Sequence, residues 1–191
     1  MKRYTELIKE NGNNLSEHDG ILVIVDVQRV FDKFIPDDFE KKIANYCEDF
    51  DKVYQIWDSN KVGHHSFNFP KQVKLVRKNY GTKFSDQIVK ISKSLEERYP
   101  NVKEGDKFKI GKNQYLVKVD NNHKWFYVNP DIYELYRELQ GKKIILIGGA
   151  DFECLEDIHI SMQSFGINSM YNHDYIYSAK TSNKQQATIN K

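Results

Sequence analysis

Two short stretches, ILVIV at Ile21–Val25 and IILI at Ile144–Ile147, are apolar at every position. A strand with one wet face alternates apolar and polar residues, whereas an unbroken run means that both faces are covered. Parallel sheets sandwiched between helices bury their strands in this way, so these runs constrain the fold more than any bulk property does. Between them lie helical stripes. Phe39, Ile43, Ala44, Cys47 and Phe50 recur at helical spacing, and PDIYELYRELQG places Pro130 in a first turn and Gly141 as a stop. KVYQIW at 52–57 and NQYLVKV at 113–119 read as the second and third strands, and a fifth strand lies near Ile167–Tyr171. Strands alternating with helices predict an α/β chain: a three-layer α/β/α, doubly wound, mainly parallel sheet of five or six strands, Rossmann-like in build.

The predicted domain covers residues 20–177, after a helical extension at 1–19 and before a polar tail at 178–191. The lysine-rich segment 71–114 carries a helix over Asp86–Arg98 but has no assigned place in the sheet; a lid, an interface or an edge hairpin would fit it equally. A chain of 191 residues is long enough to bury a core without staples. Its net charge of +2 leaves no electrostatic footprint for nucleic acid. No apolar run reaches the length of a membrane span. Cys47 and Cys154 form no CxxC pair, so no disulfide framework is implied. The expectation is a cytoplasmic protein with a small-molecule partner. There is no G-x-G-x-x-G after the first strand, which disfavours a nucleotide binder.

Three strand ends carry reactive residues. Asp26 directly follows the first buried run, at the sheet edge where open α/β folds place their ligands, although a turn cap is the plainer alternative. Lys118 sits between Val117 and Val119, either paired or facing water on an alternating strand. Cys154 opens the helix that follows GGADFE, where unpaired backbone N–H groups would favour a thiolate; a small core hydrophobe is the other reading.

In this order, the three residues and their surroundings resemble the isochorismatase-like cysteine hydrolases, the superfamily of nicotinamidases and isochorismatases. DVQRVF at 26–31 is similar to that family's D-x-Q motif and aromatic, and GGADFECL at 148–155 to its G-V-x-T-D-x-C-V. DSNKVGHHSF at 58–67 resembles the nicotinamidase segment D-W-H-P-x-x-H-x-S-F, with Asp58, His64, Ser66 and Phe67 in register. The resemblance implies a hydrolase of small amides, nearest a nicotinamidase. Asp26 would serve as base and acid, Lys118 (or else Lys124) as the active-site lysine, and Cys154 as the nucleophile. The Ala150 and Cys154 N–H groups would receive the oxyanion across a cis Gly149–Ala150 bond, with Phe31 and Gly149 against the substrate. A divalent ion (zinc, iron or manganese) would sit on Asp58 and His64. Asn60 stands where the family has a histidine, which weakens that site, and Gly149 replaces a valine, which would loosen the turn. The family also implies a homo-oligomer. A catalytically degenerate binding module of the same fold is the competing class.

Overall fold

The structure, a computed structural model, describes residues 20–58, 72–79, 82–120 and 124–179. The predicted extension at 1–19 and nearly all of the predicted tail lie outside the described residues. Within them, five strands form a wholly parallel sheet: β1 (Ile21–Val25), β2 (Val53–Trp57), β3 (Val73–Arg77), β7 (Ile144–Gly148) and β8 (Ser169–Ile176), in spatial order β3-β2-β1-β7-β8. A second, antiparallel sheet contains β4 (Lys107–Gly111), β5 (Gln114–Lys118) and β6 (Trp125–Val128).

The all-apolar strands are buried on both faces, as their sequence demands. Ile21, Val23 and Val25 of β1, with Ile144 and Leu146 of β7, point into one core. That core is completed by helix α3 (Pro130–Leu139), helix α4 (Cys154–Ser164) and the small sheet. Leu22, Ile24, Ile145 and Ile147 face the opposite way, onto helix α1 (Phe39–Cys47) and Tyr177. Side chains on a strand alternate faces, so an unbroken apolar run needs two cores. The predicted three-layer, doubly wound architecture is present.

One assignment differs. NQYLVKV, expected as the third parallel strand, is β5 of the small antiparallel sheet, and the third parallel strand is β3, VKLVR. β3 is an edge strand with only Val76 fully buried, so it lacks the apolar run that marks β1 and β7. The unassigned segment also supplies helix α2 (Thr82–Arg98), which begins four residues before the predicted Asp86. Helix α3 starts and stops as its sequence indicates. Asn129 caps it by accepting from the Ile132 N–H, and Gly141 follows its end with φ of +68°.

The site follows from this order. β1 connects onward to β2 on one side and pairs with β7 on the other, so the strand order reverses between β1 and β7. The crevice beyond the carboxyl ends of these strands is where such sheets hold ligands.

Candidate active site

Asp26 is the first residue past β1 and is 1% exposed. Its backbone is left-handed, with φ of 52°, a conformation that costs a non-glycine residue energy and persists only where its surroundings impose it. Two contacts do so: the Asp26 N–H donates to the Ile56 carbonyl at 3.0 Å, and the Tyr177 hydroxyl donates to the Asp26 carbonyl at 2.9 Å. Gln28, two residues on, faces Asp58 at the end of β2. Its Oε1 accepts from the Asp58 N–H at 2.8 Å and its Nε2 donates to the Asp58 carbonyl. The glutamine of D-V-Q thus ties the β1 and β2 ends together.

The cation beside Asp26 is Lys78. It follows β3, is 6% exposed, and its Nζ makes a short ion pair with Asp26 Oδ2. The Lys78 N–H donates to the Trp57 carbonyl, and Asn129 Nδ2 donates to the neighbouring Arg77 carbonyl, which anchors the β3 end against the α3 cap. Lys118 is not in this cluster. It ends β5, and its Nζ pairs with Glu96 Oε1 at 2.8 Å. Lys124 pairs with Asp157 at 2.7 Å instead. The lysine beside Asp26 is therefore Lys78, not Lys118 or Lys124 as expected, because β5 belongs to the other sheet and both of those lysines pair elsewhere. A lysine closing a β-branched stretch between Asp26 and Cys154 in chain order was the available signal, and an exposed edge strand made it faint.

Cys154 is the first residue of α4 and is half-buried. Asp26 Oδ1 has no hydrogen-bond partner among the described residues, and Cys154 is near enough for the carboxyl and the thiol each to shift the other's pKa. Burial pushes the thiol up to about 11; the Lys78 charge pulls it down, and Asp26 and Asp157 raise it further. The resting group is a thiol at neutral pH, not the thiolate expected from a helix start and a nearby lysine. Burial likewise lifts the Asp26 carboxyl above the ordinary carboxylate range, against the pull of Lys78 and of Cys154. On Lys78, burial works against the charged form, but the Asp26 carboxylate, with Asp58 behind it, outweighs it and holds the ammonium. A raised carboxyl and a neutral thiol close enough to influence each other, with a fixed cation beside the carboxylate, can serve as a proton-transfer pair.

The turn before Cys154 has the expected cis Gly149–Ala150 bond. Gly148 has φ of +102°, and a Cβ there would sit 2.2 Å from the Val25 carbonyl oxygen. At Gly149 a Cβ would meet the Tyr177 ring at 2.7 Å. Glycine at this position does not loosen the turn: Tyr177 occupies the space that a larger side chain would need. The N–H groups of Ala150 and Cys154 donate to no backbone carbonyl among the described residues.

A cleft of about 350 Å³ opens over Cys154 and Lys78. Trp125, Phe126 and Tyr127 of β6 and Ser85, Ile88 and Val89 of α2 wall it, and Asp58, Asn79 and Asp157 add polar groups. Phe31 and Gly149, the expected substrate contacts, are not among its described lining residues. Phe31 lies in a 3-10 turn (Arg29–Phe34) and packs, partly buried, on the core shared with α1. Gly149 is engaged with Val25 and Tyr177. Asp58 does reach the cleft, but its Oδ1 already accepts from Asn79 Nδ2 at 3.1 Å. His64, Asn60 and the remaining residues of that segment lie outside the described residues. No grouping of three His, Cys, Asp or Glu able to hold a metal occurs among the described residues.

No helix among the described residues is long and apolar enough to cross a membrane. No protein-family model matches the chain, and no curated protein matches it by sequence. Two solved structures are similar to it. One is named "putative Mar1 ribonuclease from Leishmania major", at 12% identity and a TM-score of 0.46, covering 89% of this chain and 72% of that one. The other carries the same name from Leishmania donovani, at 15% identity and a TM-score of 0.43, covering 92% and 75%.

Proposed function

We propose that this chain is a cysteine hydrolase of small amides, of the isochorismatase-like kind, with nicotinamide as the first substrate to examine. The observation that carries this reading is the meeting of Asp26, Lys78 and Cys154 beneath one cleft, beside a turn whose Ala150 and Cys154 N–H groups donate to no backbone carbonyl among the described residues.

In the proposed cycle Asp26 Oδ1 takes the Cys154 proton as Sγ attacks the amide carbon. The Ala150 and Cys154 N–H groups stabilise the negative oxygen of the tetrahedral adduct. The proton on Asp26 then passes to the leaving nitrogen, the C–N bond breaks, and ammonia departs from a thioester. A water molecule gives its proton to Asp26 and attacks the thioester; the carboxylic acid leaves, and the proton returns to sulfur. Lys78 stays charged throughout and keeps Asp26 ionised between proton transfers. No step is assigned to a metal. Asn60 in place of the family's histidine favours, as a second reading, another small amide or a vinyl-ether substrate over a metal-gripped pyridine.

The test is ammonia release from nicotinamide by the purified protein, without metal and with zinc, iron or manganese. Release that disappears in Cys154→Ala supports the proposal. No release under any of these conditions removes nicotinamide as the substrate. A binding module of this fold would keep its ligand affinity in Asp26→Ala, Lys78→Ala and Cys154→Ala alike.

A further inference from the structure

Lys118 is a buried cation that the proposed chemistry leaves without a role, and its surroundings indicate one. Lys118 and Trp125 are directly opposed across the β5–β6 ladder, so their side chains rise from the same face of the small sheet. One oxygen, Glu96 Oε1, accepts from both: from Lys118 Nζ at 2.8 Å and from the indole Nε1 at 2.8 Å. The Lys118 ammonium also lies over the Trp125 ring, 5.1 Å from its centroid, and Phe108 packs edge-on at 5.8 Å. Lys118 is 4% exposed, so its charge is compensated by Glu96 rather than by water. Glu96 sits near the end of α2, the same helix that sends Ser85, Ile88 and Val89 into the cleft. Trp125 is itself part of the cleft wall.

We propose that Glu96 and Lys118 are positioning residues that lock Trp125 as a fixed aromatic wall, and that this wall selects amides carried on a planar ring. An indole free to rotate would lose part of its contact with a ring at the moment of binding, because ordering it then has a cost. Here the N–H is tied, one ring face carries a cation, and an edge is packed, so the ring is ordered before a ligand arrives. Glu96 also joins α2 to β5 and β6, which holds the two walls of the cleft at a set separation. This inference rests on the amidohydrolase reading for its kinetic arm only; the arrangement of the wall can be read independently.

The experiment uses the full chain with Trp57→Phe, which leaves Trp125 as the single tryptophan of the two in the sequence. In Glu96→Ala, Trp125 emission is expected to shift to the red and acrylamide quenching to rise. Glu96→Gln, which keeps an acceptor for the indole N–H, should retain emission close to the parent. With benzamide as the ring-bearing probe, KM should rise roughly fivefold in Glu96→Ala while kcat stays within about twofold, the span of one aromatic contact. Acetamide, with no ring, should show no change in kcat/KM. Unchanged emission and quenching in Glu96→Ala overturn the clamp. Equal KM increases for benzamide and acetamide overturn the wall as a selector. If no amide is turned over by the parent, the hydrolase reading fails. The wall is then decided by whether benzamide perturbs Trp125 emission, an absence of any effect at saturation being fatal to it.

Discussion

At the scale of single residues, the site turns on which lysine faces Asp26. Removing one member of a buried ion pair leaves an uncompensated charge, at a cost of about 3–5 kcal/mol. Lys78→Met should therefore lower the unfolding free energy read from urea denaturation by that order and drive Asp26 to hold its proton, abolishing its use as a base. Lys118→Met should leave the reactivity of the Cys154 thiol unchanged, since its partner is Glu96. Comparing iodoacetamide labelling of Cys154 in the two variants by peptide mass checks both statements. The same assay has a defined pH dependence. An unperturbed thiol near 9 would reach its full alkylation rate just above that pH, whereas Cys154 should keep accelerating towards about 11. Asp26 raises the thiol and Lys78 lowers it, so Asp26→Asn should move that plateau to lower pH. Cys47, fully buried and pushed up to about 12, should remain unlabelled throughout. Asp26 and Cys154 were legible in the sequence because each adjoins an all-apolar strand. Lys78 was not, because the strand before it buries only Val76.

At the scale of elements, the turn after β7 depends on two glycines for different reasons. Gly149→Val would drive a side chain into the Tyr177 ring, and overpacking of this kind costs about 1–3 kcal/mol. Truncating the ring relieves the clash, so Gly149→Val should cost measurably less in a Tyr177→Ala background, a coupling read from four urea denaturation curves. Gly148→Ala meets the Val25 carbonyl oxygen and a positive φ, so no side-chain truncation should rescue it. The element that periodicity mislocated was β5. Its run NQYLVKV alternates well enough to pass for a strand of the main sheet, but alternation also marks a half-buried antiparallel hairpin. Nothing local distinguishes the two, because pairing partners are chosen by the folded chain. Helix α3, with its cap, Pro130 and Gly141, needed no such information, since every one of its signals lies within the helix and its flanks.

At the scale of the whole molecule, a half-buried histidine of α4, bonded to β8, ties stability to acidity. His159 Nδ1 lies 2.7 Å from Ser169 Oγ and Nε2 lies 3.0 Å from Gln163, and burial lowers its pKa from 6.5 to about 4. A group whose folded pKa is depressed favours the folded state above the unfolded value and loses that advantage as pH falls. The fold should therefore lose up to about 3 kcal/mol between pH 6.5 and 4 through this residue. His159→Gln, which cannot titrate, should flatten that part of the stability profile in urea titrations at stepped pH. The architecture itself followed from local pattern: strands apolar at every position require cover on both faces, and only helices on each side of a parallel sheet supply it. The sequence by itself thus determined the layers, the two strand ends bearing Asp26 and Cys154, and the glycine turn between β7 and α4. What only the tertiary structure decided was the company each polar side chain keeps. Lys78 and Lys118 are both lysines at strand ends, indistinguishable in one dimension. The order of strands across the sheet places the first against Asp26 and the second against Glu96, because buried charges are paired by proximity in space rather than along the chain.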